Sequence, residues 1–458
     1  MDKNVMIAIG AIAVIAIAAV GVYVVISGNH DNVDTPSSFD DVGLKVYGNV
    51  NGDNVIDRAD IDMLERIVNK GMTVEEAPLA DANQDKVLNS KDVETVTKIV
   101  NGESTVIWHV NYHDSDGDSV MDEEIVSTKF PVTSMIMTGS ANSFMLCYML
   151  DIIDEVKGAS YGSTNDKSLY KYNYLDEEKT VKLGTSSTTI TFEDGKAGSS
   201  DVIAEENVTC VLSDWNRSYL TNEDKFEAAN IDVVRVAAAS VDKEVYTHSI
   251  LLLGLLFQKH DKSIKLLELY DDAFDGINSM IAKLPVGKAP MKGIASSMTG
   301  YVSSGTSDYQ DVLNKAGMAF GLEGFDFGSS TSIKVVDNEG IFNTDVYSWQ
   351  RIVHLRTAVY YDATAESISK IWKSYTEAFN EWEHYGEDGS QVIVSGAIPV
   401  PVRVAYTLLS SYGGQIEGLD LAWANAIHQS FINLFHDGNQ LIDVNKIYTY
   451  VDKDPMAA

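Results

Sequence analysis

A repeated ladder of oxygen-bearing side chains constrains this chain more than any other feature. It runs through Asn49, Asn51, Asp53, Asp57 and Asp60, then again through Asp81, Asn83, Asp85, Asn89 and Asp92. Asp or Asn thus stands at loop positions 1, 3, 5, 9 and 12 of both copies, and the carbonyls of Val55 and Val87 fall at position 7. Calcium takes roughly six to eight oxygens, and twelve-residue EF-hand-type loops supply them from these positions. Thirty-two residues separate Asn49 from Asp81, and the segments after the two loops also superpose. Ile61, Leu64, Ile67 and Val68 correspond to Val93, Val96, Ile99 and Val100, an apolar helical face ending at Asn69-Lys-Gly71 and Asn101-Gly102. Position 6 needs left-handed backbone. It is Asn54 in the first loop and Lys86 in the second, so strain is expected in the second. Two cation loops, each feeding an amphipathic helix, predict a small all-α module with two calcium sites.

The rest of the chain is too long to be an appendage of that module. At 458 residues it has room for two or three domains. A hydrophobic content of 45% marks it as globular. The net charge of −33 argues against nucleic acid, whose phosphates need clustered Lys and Arg. Val5 to Ser27 is an almost unbroken apolar run of 23 residues, long enough to span a bilayer of ~30 Å. It lacks the short core and small-residue cleavage site of a signal peptide. Residues 1–28 therefore read as an uncleaved single-pass anchor in the cell membrane, with the bulk of the chain extracytoplasmic, and residues 29–43 as a linker. Cys147 and Cys210 either pair or remain buried thiols, and their apolar flanks suit thiols.

Beyond Thr105 the texture changes to strands alternating with helices. His113-Asp-Ser-Asp-Gly-Asp-Ser-Val invites a third calcium loop, but position 12 would be Ile125, and a hairpin turn at Asp116-Gly117 accounts for the same residues. Apolar strands are expected at 134–138, 208–212, 231–236, 291–295, 332–336, 351–356 and 391–396, with one long helix in the middle, over 246–285. This predicts an α/β fold of two lobes, 104–245 and 286–458, joined by a hinge helix.

These patterns carry two resemblances to known families. The paired loops, over 44–103, resemble a dockerin, whose partner-reading positions 10 and 11 fall on Arg58-Ala59 and Ser90-Lys91. That implies two bound calcium ions, a cohesin-bearing partner, and a module that unfolds without calcium while the remainder stands. Residues 105–450 resemble the class III, helical-backbone substrate-binding proteins of ABC importers. The resemblance rests on Phe130-Pro-Val-Thr-Ser-Met-Ile-Met-Thr-Gly-Ser-Ala-Asn142 through Lys157-Gly-Ala-Ser160 and on Lys225-Phe-Glu-Ala-Ala-Asn-Ile-Asp-Val-Val234. It implies capture of an iron-siderophore, haem or cobalamin-like chelate and delivery to an ABC permease. The family's permease-docking Glu in the first helix is replaced here by Met145.

In open α/β sheets ligands bind beyond the carboxyl ends of the strands. That rule nominates Asn142, Trp215, Arg217, Tyr301, His354 and Arg356, with Ser140, Asp214, Ser395 and Arg403 behind them. A metal chelate wants aromatic walls and a few basic or hydrogen-bonding groups, which favours Trp215, Tyr301, Arg217 and Arg356. His354 alternates within an apolar strand and suits a core position equally well. No hydrolase, metalloprotease, phosphate-loop or dinucleotide motif is present, so a binding protein is expected and not an enzyme. The rival reading is an adhesion or scaffold protein with a non-transporting head.

Overall fold

The structure is a computed structural model. It describes residue 33 and residues 35–457 apart from 118–119, 161–179, 184–189, 191, 193–198, 221–222, 329, 344–345, 348, 357–358, 360, 362, 383–384, 386–389 and 436–442. The apolar run 5–27 lies outside the described residues. Among the described residues no helix is long and apolar enough to cross a membrane.

Each calcium-type loop ends in a helix, α1 (Arg58–Lys70) and α2 (Ser90–Asn101), as the periodicity predicts. Asp57 and Asn89 cap the two helices, and Asp60 and Asp92 return bonds to the cap backbone, so both starts are capping boxes. Both helices stop on a left-handed glycine, Gly71 (φ 68°) and Gly102 (φ 69°). Ile61, Leu64, Ile67, Val96 and Ile99 are buried, forming the seam between α1 and α2.

The module is bonded tightly to the chain on its C-terminal side. Strands β1 (Thr105–His113) and β2 (Asp122–Phe130) form an antiparallel hairpin, with Gly117 (φ 83°) in its turn donating to Asp114 Oδ1 at 2.8 Å. The hairpin reading of this Asp-rich segment is the one the structure adopts. Val46 bridges His109, the Tyr47 amide donates to Trp108 at 2.9 Å, and the Val110 amide donates to Lys45 at 3.1 Å. The hairpin's other side meets the next domain. There Asn111 donates to Val233 O and accepts from Arg235 N, both at 2.9 Å.

The N-terminal lobe comprises β3 (Met135–Met137), α3 (Ala141–Met149), β4 (Val156–Ser160), β5 (Val181–Leu183), α4 (Ser200–Glu205), β6 (Cys210–Asp214), α5 (Glu223–Ala228) and β7 (Asp232–Val236). Its sheet is all parallel in the order β5-β4-β3-β6-β7. Parallel strands are covered on both faces, which is why Ile136, Val211 and Val234 lie in near-continuous apolar runs.

The middle of the chain departs from the expected single helix over 246–285. It forms two helices, α6 (Lys243–Leu256) and α7 (His260–Ile281). Gln258 adopts left-handed backbone (φ 56°), its amide donates to Leu255 and the Lys259 amide to Gly254, which is a Schellman stop with Gln in glycine's usual place. Gly254 then lets α7 approach closely, since a Cβ there would lie 2.2 Å from Ser263 Oγ.

The C-terminal lobe contains β8 (Lys292–Ser296), β9 (Tyr301–Ser303), α8 (Asp308–Lys315), β10 (Ala319–Phe320), β11 (Ser332–Lys334), β12 (Arg351–Arg356), α9 (Ala365–Ala378), β13 (Gln391–Ser395), α10 (Val400–Tyr412), α11 (Leu421–Phe435) and β14 (Tyr450–Val451). The main sheet runs β10-β8-β12-β13-β14, parallel except for the edge strand β14, while β9 and β11 pair separately. Trp349 and Trp382 stack at 3.9 Å in its core. Thr35 to Ala458 forms one compact unit, with the calcium-type module included.

Candidate functional site

The two loops are built alike. Asn51 Oδ1 accepts from the Asp53 amide (2.9 Å) and Asp53 Oδ1 from the Val55 amide (2.8 Å). Asn83 and Asp85 repeat the pattern with Asp85 and Val87, at 2.8 and 3.1 Å. Asp60 is fully buried and accepts from the amides of Val50, Asn51 and Asp57, yet burial pushes its carboxyl up to about 6. Burial also raises Asp53, Asp81 and Asp92. At position 1 of each loop, Asn49 Oδ1 and Asp81 Oδ1 are buried with no hydrogen-bond donor. A buried oxygen without a partner costs about 1–3 kcal/mol, so two at matching positions mark the place of an electropositive group. The donor set fits calcium. Asn49, Asn51, Asp53, Val55, Asp57 and Asp60 would hold one ion, and Asp81, Asn83, Asp85, Val87, Asn89 and Asp92 the other. No group of three or more His, Cys, Asp or Glu placed to hold a metal occurs among the described residues.

The copies differ in strain and in anchorage. Lys86 at position 6 takes φ 67° and Gln84 takes φ 57°, whereas the first loop has its left-handed residue at Gly52 (φ 74°). Only the second loop places non-glycine residues there, at about 1–2 kcal/mol each. Asn49 explains why position 1 of the first loop is an amide. Its Nδ2 donates to Leu44 O (2.9 Å) and Asp53 O (2.8 Å), which a carboxylate cannot do.

The second site lies where the lobes meet, beyond the carboxyl ends of β3 and β6. Ser140 stands at the N-cap of α3 but caps nothing. Instead its hydroxyl and that of Ser143 both donate to Asp214 Oδ2 at 2.9 Å. From the other lobe, Asp308 opens α8 beside the Trp215 side chain, while Arg403 of α10 donates to Ile398 O (2.7 Å) and to Asn142 Oδ1. The Arg403–Asn142 bond and the Trp215–Asp308 approach therefore cross the cleft. Burial, then Asp214 and Asp311, push the Asp308 carboxyl up to about 7 against the pull of Arg403 and Trp215. Burial likewise holds Asp214 above its usual range. The phenols of Tyr219 and Tyr309 lie close to both carboxylates.

Of the six residues nominated from sequence, Asn142 and Trp215 come together here. Arg217 is exposed over the hairpin turn, where a Cβ on Gly117 would sit 2.7 Å from its Nη1. His354 is a core residue, fully buried and stacked on Tyr375 at 3.6 Å. Tyr301 is half-buried on β9, paired with Lys334. Arg356 closes β12 opposite Ser395, and its side chain lies outside the described residues. Met145 is buried in α3, so that position offers nothing to a permease.

The dockerin type I domain family matches residues 47–101. Residues 47–101 are a dockerin type I domain. No curated protein matches the sequence. Among solved structures, the TroA-like periplasmic binding protein FepB of Veillonella parvula is similar at a TM-score of 0.51 and 14% identity, over 68% of this chain and 93% of that one. CeuE of Helicobacter pylori, in a nickel–histidine complex, scores 0.48 at 16% identity, over 73% and 97%. A periplasmic haem-binding protein of Pseudomonas aeruginosa scores 0.43 at 12% identity, over 62% and 94%. The likeness to FepB shows that the two lobes beyond the dockerin have the TroA-like periplasmic-binding-protein fold.

Sequence reasoning passed over Asp308 and Ser143 and left Asp214 and Arg403 in the background. Asp308 reads as an ordinary first-turn acid after a capping Ser307, and Arg403 as a stray charge in an apolar helix. One signal was available, because Pro399-Val-Pro401 opens a helix directly after β13, aiming its first turn at the strand ends.

Proposed function

We propose that the protein is an extracytoplasmic solute receptor of the ABC-importer type, anchored by 5–27, that captures a metal chelate of iron-siderophore, haem or corrinoid kind between its lobes. The observation that carries this reading is the cross-lobe bond of Arg403 to Asn142, with Trp215 set against Asp308 beside it, at the strand ends where such folds bind ligands. These groups would part as a ligand enters and rebind around it. Asp308 faces Arg403, and Asp214 lies beside it with Arg235, itself paired to Glu223, so neutral or cationic chelates are favoured over polyanionic ones. The dockerin would hold calcium at its two loops, which orders them, and would offer a cohesin partner the exposed residues Arg58, Ala59, Ser90 and Lys91.

Absorbance titration and native mass spectrometry with haem, cobalamin and a ferric siderophore test the reading. Binding of one of them, weakened at least tenfold by Arg403→Ala, is expected. Failure of all three would transfer support to the adhesion-head reading, which the burial of Met145 already favours over docking through the first helix.

A further inference from the structure

We propose that calcium in the first dockerin loop sets the position of helix α6 and of the cleft wall at Trp215, making the dockerin a control element of the two-lobed body. The path starts at Asn49. Its buried Oδ1 points to the ion site while its Nδ2 holds the carbonyl of Leu44 at 2.9 Å, so one planar amide links the loop to the segment ahead of it.

That segment has no slack. Lys45 is 0% exposed, and its ammonium is shared by Glu123 of β2 and Glu244 of α6. Its backbone amide donates to His248 Nδ1 at 3.1 Å, and His248 Nε2 is 2.8 Å from Val110 O. Gly43 is wedged between loop and helix, since a Cβ there would lie 2.7 Å from Asn54 Oδ1 and 2.9 Å from Thr247 Cγ2. The Lys45 ammonium is buried while both carboxylates are half-exposed, so it would be left uncompensated on parting from them, and a shift of Lys45 pulls on α6.

From the same segment the coupling runs through β1. Lys45 and Val46 are paired to it, Asn111 grips β7 at Val233 and Arg235, and the Asp114 amide donates to Trp215 O at 3.1 Å. Trp215 is the residue whose side chain reaches Asp308 across the cleft. The second loop is tied differently, through Gln84 to the side chain of Tyr47 and not to the Leu44–Lys45 segment. Asp81 Oδ2 accepts from its own loop's Lys86 amide, and just past α2 Gly102 O lies 3.3 Å from Gln258 Nε2 at the α6–α7 corner.

Hydrogen–deuterium exchange on the full chain, with saturating calcium and with EGTA, tests this without any cleft ligand, so its outcome is independent of the transport reading. Calcium removal is expected to raise exchange roughly fivefold or more at 243–257 and 210–216, the lower end of usual coupling factors. In Lys45→Met the loop at 49–60 still responds to calcium but those two body segments do not. Asn49→Asp keeps a ligand oxygen, loses both amide donors and uncouples in the same way, deciding the matter if Lys45→Met fails to fold. Asp85→Ala, which disables the second loop, leaves the response of α6 intact. An α6 indifferent to calcium in the wild type would overturn the proposal. So would Lys45→Met and Asn49→Asp proteins that respond like wild type, or an Asp85→Ala protein whose α6 no longer responds.

Discussion

Replacing Asp308 by Asn should flatten part of the protein's pH–stability profile, and the sign follows from the cleft. Asp308 is held up to about 7 by burial and by Asp214 and Asp311, against an ordinary value of 3.8. Between those values the folded chain keeps a proton that the unfolded chain has released, so stability is present at low pH and is lost as pH rises towards 7. At about 1.4 kcal/mol per unit the ceiling is roughly 4 kcal/mol. Asp308 is only half-buried, and water entering the cleft should cut this to about 1–2 kcal/mol. The proton belongs to the Asp214–Asp308 pair, so the observed midpoint is a joint one. His109, His248 and His428 work the other way, since burial lowers them to about 4, 3 and 3 and makes stability rise with pH below ~6.5. Only the difference between wild type and variant is therefore informative. Guanidinium unfolding followed by tryptophan fluorescence from pH 5 to 8, in saturating calcium, should show Asp308→Asn gaining about 1–2 kcal/mol on wild type by pH 8. Asn retains an acceptor for Trp215, and Asp214 keeps Ser140, Ser143 and Arg235. A difference that stays constant across the range, or wild type gaining on the variant as pH rises, would refute the reasoning.

Other expectations are simpler. Gly254→Leu should cost about 1–3 kcal/mol in chemical denaturation, because even a Cβ would lie 2.2 Å from Ser263 Oγ where α6 and α7 cross. Cys147 and Cys210 are free, buried and raised by desolvation, so a thiol reagent should label neither in the native protein and both after unfolding. His354→Leu should lower stability by disturbing the stack on Tyr375 yet leave chelate affinity of the folded protein within about twofold, whereas Arg403→Ala should weaken chelate binding at least tenfold; thermal unfolding beside an isothermal titration of both separates core from cleft.

What was legible in the sequence was whatever repeats or alternates. The two-loop repeat was visible because Asx residues recur at fixed spacing, and the strands because apolar runs end at polar turns. The break between α6 and α7 was invisible because Gln258, not Gly, takes the left-handed turn, and nothing in Gln's chemistry announces that. The cleft was half legible. The strand-end rule put Asn142 and Trp215 at the lobe junction, but Asp308 and Arg403 reach across it to partners more than 90 residues away, a distance no local pattern encodes. Lys45 was the deepest concealment. It sits just past a polar linker and looks like a solubilising surface charge, yet it is sealed from water.

The burial of Lys45 and His248 bears on how such proteins can be taken apart or recombined. A boundary at residue 104 looks natural by family, since the dockerin match ends at 101. Cutting there would strip the cover from His248 and leave Tyr112 facing water, while the excised piece would carry Leu44 and Val46 uncovered. The dockerin here is thus no interchangeable plug. It has grown into its host, and transplanting it would require bringing the β1–β2 hairpin and the first turns of α6 along with it.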